Sequence, residues 1–436
     1  MRSATSIPHS SESSRRLIIV RGDLRSRTGL SYQLRAQVKL LKLLEADFDI
    51  VGVDVHPDPN DKEMEFPHSV INDEDVSRLI AESQLRPIVL HHTPPDDFIC
   101  FPSAWNIGSF AWETDVAPRL RQWEIKIGFM DAMWAQCTMI ADLIRNMGYT
   151  GMIQKITWPF DFGQIRRTDV RVRKAIKLRR FGLVNESGAE VQDITLADAR
   201  DNSSSVFISV QSLSSRKGLP ILLKEWHRHV SNTAKSNDLL ILRLTFRHAS
   251  NLSKEPEEHF ASALRDAGFR YPEDVRIGII SSTLSDLELT ELYQACDAYV
   301  STTFGEGFGG PIIEAILNGR PVIVPRHTAM CDFIPPDYPL IIESVRRVVG
   351  LRGSLAVYPP ASSWHIPVPG SLTACLAAFN RMTAAQRSGL VSNLRKEASQ
   401  FCSVPMVKSA MRSLFRELLV TSAKTEGSGD AFDARS

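Results

Sequence analysis

Ala298-Tyr299-Val300, then Phe304-Gly305-Glu306-Gly307-Phe308-Gly309-Gly310-Pro311-Ile312-Ile313-Glu314-Ala315, then Pro321-Val322-Ile323-Val324 follow one another in this chain. They read as a buried strand, a glycine-rich loop opening into a helix, and the next strand, the repeating unit of an open α/β sheet. The glycines let backbone approach a ligand closely, and the first helical N–H groups point at whatever lies before them. Glu306 sits in the loop and Glu314 falls about two turns into the helix, so the two carboxylates face different parts of one bound molecule. Such a loop suits phosphate and hydroxyl groups carried on one ligand, as in a sugar nucleotide.

Outward from this unit the alternation continues. Val206–Val210, Leu239–Leu244 and Val275–Ile280 read as strands, with helices at Leu219–His229, around His259–Ala267, and at Leu287–Ala295. The N-terminal half repeats the pattern, with strands at Leu17–Val20, Phe48–Val53, Pro87–His91 and Asn106–Ala111, and a helix at Tyr32–Leu44 bearing Leu34, Val38, Leu41 and Leu44 on one face. Two Rossmann-like halves in tandem are the simplest architecture. Residues 1–14 read as a disordered lead-in, 15–162 as an N-terminal Rossmann-like domain, and 163–205 as a basic, then polar, linker or insertion. Residues 206–400 read as a C-terminal Rossmann-like domain, 401–420 as a C-terminal helix packing back on the N-terminal domain, and 421–436 as a disordered tail.

A chain of 436 residues points to two domains or one large one. Its formal charge of +1 gives no global electrostatic reason to expect nucleic acid. No apolar run approaches the roughly 20 residues that span a bilayer, and the Ser-rich start lacks the apolar core of a secretory signal. Cysteines 100, 137, 296, 331, 375 and 402 are scattered without zinc spacing, which fits reduced thiols in a cytoplasmic protein.

The C-terminal half resembles the family 4 glycosyltransferases of the GT-B fold, bacterial type. Four signatures carry the resemblance in order: Ser209-Val210…Ser215-Arg216-Lys217-Gly218, Leu284-Ser285-Asp286…Leu292-Tyr293…Cys296-Asp297-Ala298, the Glu306…Glu314 loop and helix, and Asn318-Gly319-Arg320-Pro321-Val322. Gly108–Asp115, Asp131–Trp134 and Trp158–Asp161 are more loosely similar to the N-terminal half of that family. The resemblance implies two Rossmann-like doubly wound domains facing each other across a cleft. It also implies retaining transfer of a sugar from a UDP- or GDP-sugar to a hydroxyl on a saccharide or lipid-linked acceptor, in polysaccharide or glycoconjugate synthesis, with no metal or other cofactor.

By the same resemblance Lys217 contacts the donor diphosphate, Glu314 the ribose, and Glu306 lies near the sugar ring. Backbone amides at Phe308, Gly309 and Gly310 would hold sugar hydroxyls and phosphate, the Ile280 edge the base, and Gly29 would border the cleft on the acceptor side. The family usually places Arg or Lys five residues before this lysine; here Ser212 stands there, and Arg216 is the nearest compensating cation. His92 and Glu113 follow expected strands and could orient the reacting hydroxyl; for the histidines a structural loop is an equal reading. Asp47-Phe48-Asp49 is formally a metal-type motif, but Phe48 and Ile50 read as core. The basic run 166–180 suits a solvated face, with peripheral contact to an anionic inner membrane surface as the alternative. A nucleotide-sugar epimerase or hydrolase, and a non-catalytic binding protein, are the rival functions on this fold.

Overall fold

A computed structural model describes residues 15–26, 28–44, 48–55, 66, 68–163, 170–184, 188–233, 237–245, 256–269, 276–349 and 358–426. The expected lead-in 1–14, Asp47, Val275 and the last ten residues lie outside them.

The N-terminal domain is a seven-stranded parallel sheet in the order β3-β2-β1-β4-β5-β6-β7. Its strands are β1 Arg16–Gly22, β2 Phe48–Asp54, β3 Val70–Ile71, β4 Ile88–His92, β5 Trp105–Ser109, β6 Ala132–Ala135 and β7 Met152–Lys155. β1 pairs with both β2 and β4, so the strand order reverses there and opens a crevice at the carboxyl ends of β1 and β4. The residues of β4 and β5 are buried throughout, as strands covered on both faces must be. Helices α1 Gly29–Lys42, α2 Val76–Glu82, α3 Leu120–Gly128 and α4 Thr138–Asn146 are interleaved with them. Thr28 caps α1, its hydroxyl accepting from the Ser31 N–H at 3.2 Å.

In the second sheet the order is β15-β14-β13-β10-β11-β12-β8-β9. β10 Val206–Ser212, β11 Leu239–Thr245, β12 Ile277–Ile280, β13 Ala298–Val300, β14 Val322–Pro325 and β15 Ile341–Ile342 are parallel. The reversal here falls between β10 and β13, and the loops leaving those two strands carry Arg216-Lys217 and the glycine run. Helices α7 Leu219–Asn232, α8 Pro256–Ala267, α9 Asp286–Ala295 and α10 Gly310–Leu317 belong to this layer, with α11 Ser371–Arg381 and α12 Ala384–Cys402 after it.

Residues 170–201, within the segment expected as a linker or insertion, are an ordered addition to the second sheet. They form α5 Val170–Ala175, an antiparallel hairpin of β8 Lys177–Val184 and β9 Gly188–Thr195, and α6 Leu196–Asp201. β8 adds antiparallel to β12 and extends the second sheet. Ile176, Leu178, Leu196 and Ala199 are buried in the C-terminal core, which is why the segment is ordered despite its cations. Arg173 pairs at 2.9 Å with Glu291, itself fully buried, so the basic run is partly committed to packing.

The chain crosses between domains twice, and the crossings are joined. Phe160 N–H donates to Cys402 O and Val404 N–H to Phe160 O. Beyond the second crossing, α13 Val404–Glu426 lays Val407, Met411, Leu414, Phe415 and Leu418 into the N-terminal core beside Ile18, Leu34 and Trp134. The spacing of four, three, one and three residues is one helical face. The helix continues to Glu426, which corrects the expectation of a disordered tail from residue 421.

Candidate active site

The two crevices face each other, and charged side chains meet between them. After β10 the chain makes a single 3-10 turn, Ser215–Lys217, closed by Gly218 in the left-handed region at φ 69°. A Cβ on Gly218 would stand 2.3 Å from Thr302 O, so only glycine lets this turn pack beneath the loop after β13. Lys217 Nζ lies 2.6 Å from Glu306 Oε1. Arg216 is 3.3 Å from the other Glu306 oxygen and 3.2 Å from Glu113, which comes from the opposite domain. The rest of its guanidinium is also engaged, donating to Gly305 O and, at 3.1 Å, to the Tyr358 hydroxyl. Tyr358 in turn donates to Glu113 at 3.0 Å.

Burial alone would push the Glu306 carboxyl up, but Lys217 and then Arg216 outweigh it and hold it at about 2. Glu306 is therefore ionised throughout the neutral range. Its backbone is fixed as well: Glu306 N–H donates to Thr328 Oγ1 at 3.0 Å. His327 stands behind this contact, with Nε2 3.0 Å from Thr303 O and Nδ1 3.2 Å from Thr328 Oγ1. A carbonyl can only accept, so Nε2 carries the proton and Nδ1 accepts from Thr328. Burial, followed by its stacked neighbour His365, lowers the His327 pKa to about 3, which keeps the ring neutral and this relay intact.

Glycines of the loop serve the junction of domains as much as any ligand. A Cβ on Gly305 would lie 2.3 Å from Glu113 O, and one on Gly307 2.8 Å from Trp112 O. The segment Trp112–Asp115 is clamped from its other side by the hairpin of β16 Ser344–Val348 and β17 Ser363–Pro367, through Arg346 and the Ser363 N–H, both on Asp115. Phe308 packs in a ring cluster with Trp158, Phe160 and Phe401, beside the domain crossing.

Residues 204–344 match the family model described as Glycosyl transferases group 1. Among solved structures, sucrose-phosphate synthase from Thermosynechococcus elongatus superposes with a TM-score of 0.61 at 14% identity, over 93% of this chain and 100% of that one. The UDP-forming trehalose-phosphate synthase of Burkholderia xenovorans, solved with glucose-6-phosphate, gives 0.59 at 12% identity over the same shares. The N-terminal domain of Candida albicans trehalose-6-phosphate phosphatase gives 0.59 at 10%, again over 93% and 100%. The chain has the GT-B fold. No curated protein sequence matches it. The family match and the GT-B architecture together support a glycosyltransferase.

Within the GT-B cleft, Arg216, Lys217, Glu306 and Glu113 are brought into one cluster. Glu314 lies apart from it, on α10, accepting from the Tyr293 hydroxyl at 2.9 Å; burial raises its pKa. Tyr299 feels both carboxylates electrostatically, since Glu306 and Glu314 add to the burial that raises its pKa, while its hydroxyl donates to Val210 O at 3.3 Å. Gly309, at φ 87°, starts α10, and the Ile280 side chain is buried, leaving only its backbone to meet a ligand. His92 ends β4 with Nδ1 3.1 Å from Ser109 Oγ and Nε2 buried without a partner; burial lowers its pKa to about 4. None of its hydrogen bonds reaches the charged cluster. Gly29 begins α1 with nothing within 4 Å of an added Cβ, so no close approach requires glycine there. Gly22 is the glycine that packing demands, its Cβ position lying 2.9 Å from His92 O. Among the described residues no group of three or more His, Cys, Asp or Glu could hold a metal ion, and no helix is long and apolar enough to cross a membrane.

Tyr358, His327 and Arg243 are the residues the sequence reading passed over. Arg243 had a signal: it is a lone cation inside the otherwise apolar run Leu239–Leu244.

Proposed function

We propose that this chain is a retaining glycosyltransferase that moves a sugar from a UDP- or GDP-sugar to a hydroxyl of a saccharide or lipid-linked acceptor. The observation that carries the reading is the buried meeting of Lys217 and Arg216, at the reversal point of one sheet, with Glu306 and with Glu113 of the other domain. Cleavage of the donor leaves negative charge on a diphosphate and positive charge at the anomeric carbon. Lys217, in the turn after β10, suits the first, and Glu306, ionised at neutral pH, suits the second. Glu314, which accepts from the Tyr293 hydroxyl, would bind the ribose, and the amides of residues 308–310 would hold sugar hydroxyls and phosphate. Glu306 is locked between two cations and is unsuited to exchanging protons near neutral pH. A phosphate oxygen of the leaving group is then the base for the acceptor hydroxyl, on the face the donor leaves, which retains configuration. Glu113, tied to Arg216 and Tyr358, couples the acceptor domain to this centre, and the neutral His92 lines the acceptor-side crevice. The same reading makes the chain a cytoplasmic enzyme of polysaccharide or glycoconjugate synthesis that uses no metal ion.

The test is incubation with UDP- and GDP-sugars, with and without saccharide acceptors, followed by mass spectrometry and NMR of the anomeric proton. Acceptor-dependent product with the donor's anomeric configuration is expected, and Lys217→Ala should abolish it. Sugar release or isomerisation in donor alone, unchanged by every acceptor, would assign the fold to hydrolysis or epimerisation instead.

A further inference from the structure

Arg216 is not available as the second phosphate cation. Its Nε, Nη1 and Nη2 are engaged by Tyr358, Gly305 O, Glu306 and Glu113. Ser212, where the family resemblance leads one to expect a cation, supplies none, so Lys217 is the single remaining candidate in the turn after β10. The neighbouring strand offers another. Arg243 is two residues from the carboxyl end of β11, in register with Val210 on β10 and Ile280 on β12, while Ser212 is in register with Thr245. Paired positions of parallel strands share a face, and so do residues two apart, so Arg243 and Ser212 project to the same side of the sheet. Their backbones are separated by about 7 Å along the strand and about 5 Å across it, within reach of an arginine side chain.

The surroundings of Arg243 are those of a cation waiting for an anion. Its Nε is buried without a hydrogen-bond partner, and among the described residues it forms no ion pair. Burial lowers its pKa, against weaker opposing contributions from Tyr293, Glu314 and Tyr32. Tyr32, on α1 of the other domain, is near enough to act on Arg243 electrostatically. The one carboxylate among these neighbours, Glu314, is already bound by Tyr293. A half-buried, unpaired guanidinium costs folding free energy, and a ligand phosphate would offset that cost with charge-assisted hydrogen bonds.

We propose that Arg243 grips the phosphate of the nucleotide donor, taking the part that a cation at position 212 would play. This rests on the nucleotide-sugar reading above. The test is calorimetric titration of UDP, GDP and their nucleosides into the parent, Arg243→Ala, Arg243→Lys and the double variant Ser212→Arg/Arg243→Ala, with melting temperatures for each. Arg243→Ala should weaken nucleoside diphosphate binding on the order of 10–100-fold, leave the nucleoside within about two-fold, and melt no lower than the parent without ligand. Arg243→Lys should lie between, and the double variant should recover most of the lost affinity. Equal loss for nucleoside and diphosphate, undiminished diphosphate binding by Arg243→Ala, or a folded double variant without recovery would each overturn the assignment. A parent that binds neither nucleotide would overturn the donor reading along with it, whereas a parent that binds beside an indifferent Arg243→Ala removes Arg243 alone.

Discussion

Glu306 joins the two demands on this site, because the carboxylate suited to the sugar also neutralises Lys217, the cation suited to the phosphate. Glu306→Gln keeps the shape but frees Lys217 from its carboxylate partner. It should therefore bind free nucleoside diphosphate at least as tightly as the parent while kcat falls about 10²–10³-fold. Equal losses in affinity and turnover, by calorimetry and steady-state kinetics, would instead make Glu306 a binding residue. Acid sensitivity is also set residue by residue. His91, His92 and His327 are buried and neutral, with pKa lowered to about 3, 4 and 3. Below about pH 6.5 the unfolded chain takes up protons that the folded one refuses, so the stability these groups contribute is full above that pH and is lost as pH falls toward 3–4. Each contributes a slope of about 1.4 kcal/mol per pH unit in that window. His327→Gln, which can still donate to Thr303 O, should make the melting temperature fall less steeply between pH 6.5 and 4.5 than it does in the parent. Glu306 and Lys217 were legible in the sequence because they flank a glycine loop and end a strand. Tyr358 was not: it meets Arg216 across 142 residues of chain, and no local pattern records that distance.

The same division holds for the elements. Strands with long apolar runs, such as Leu239–Thr245, announce themselves, whereas β6 and β7 span four residues each and fall below what periodicity resolves. The β8–β9 hairpin hid behind its cations, because on a sheet edge only the positions that face the core need be apolar, as Ile176 and Leu178 are. The glycines show what sequence reading could not settle. In the quoted loop they were expected to admit a ligand, and Gly305 and Gly307 instead admit the backbone of the opposite domain. Gly305→Ala would set a Cβ 2.3 Å from Glu113 O, with backbone on both sides and no flexible side-chain end to yield. The loops must part, so we expect at least a tenfold fall in kcat/KM with nucleotide affinity largely kept. Gly29→Ala meets nothing within 4 Å and exchanges glycine for a better helix former. It should be neutral in activity and stabilising by up to about 1 kcal/mol, measured by thermal unfolding. If Gly29→Ala cripples the enzyme and Gly305→Ala does not, the roles given to these two loops are reversed.

At the scale of the molecule, the last helix decides whether the first domain can exist. α13 crosses back from the C-terminal domain and buries Val407, Met411, Leu414, Phe415 and Leu418 among N-terminal strands and α1. Fully burying a side chain of this kind is worth about 1.5–3 kcal/mol, so the five together amount to roughly 8–15 kcal/mol, as much as the whole net stability of an ordinary domain. The C-terminal core has no comparable dependence, since its cluster is drawn from residues between 158 and 402. Ending the chain at Ser403 should therefore unfold the N-terminal domain and leave the C-terminal half largely folded. Calorimetry should show the loss of one transition, with the surviving one still raised by nucleoside diphosphate, because a ligand that binds only the folded form stabilises it. Transfer should vanish, since Glu113 and the acceptor crevice go with the lost domain. Phe415→Ala is the milder form of the experiment, costing about 3–5 kcal/mol at one site. If that variant lowers the nucleotide-sensitive transition instead of the other, the helix supports the opposite domain from the one its contacts indicate.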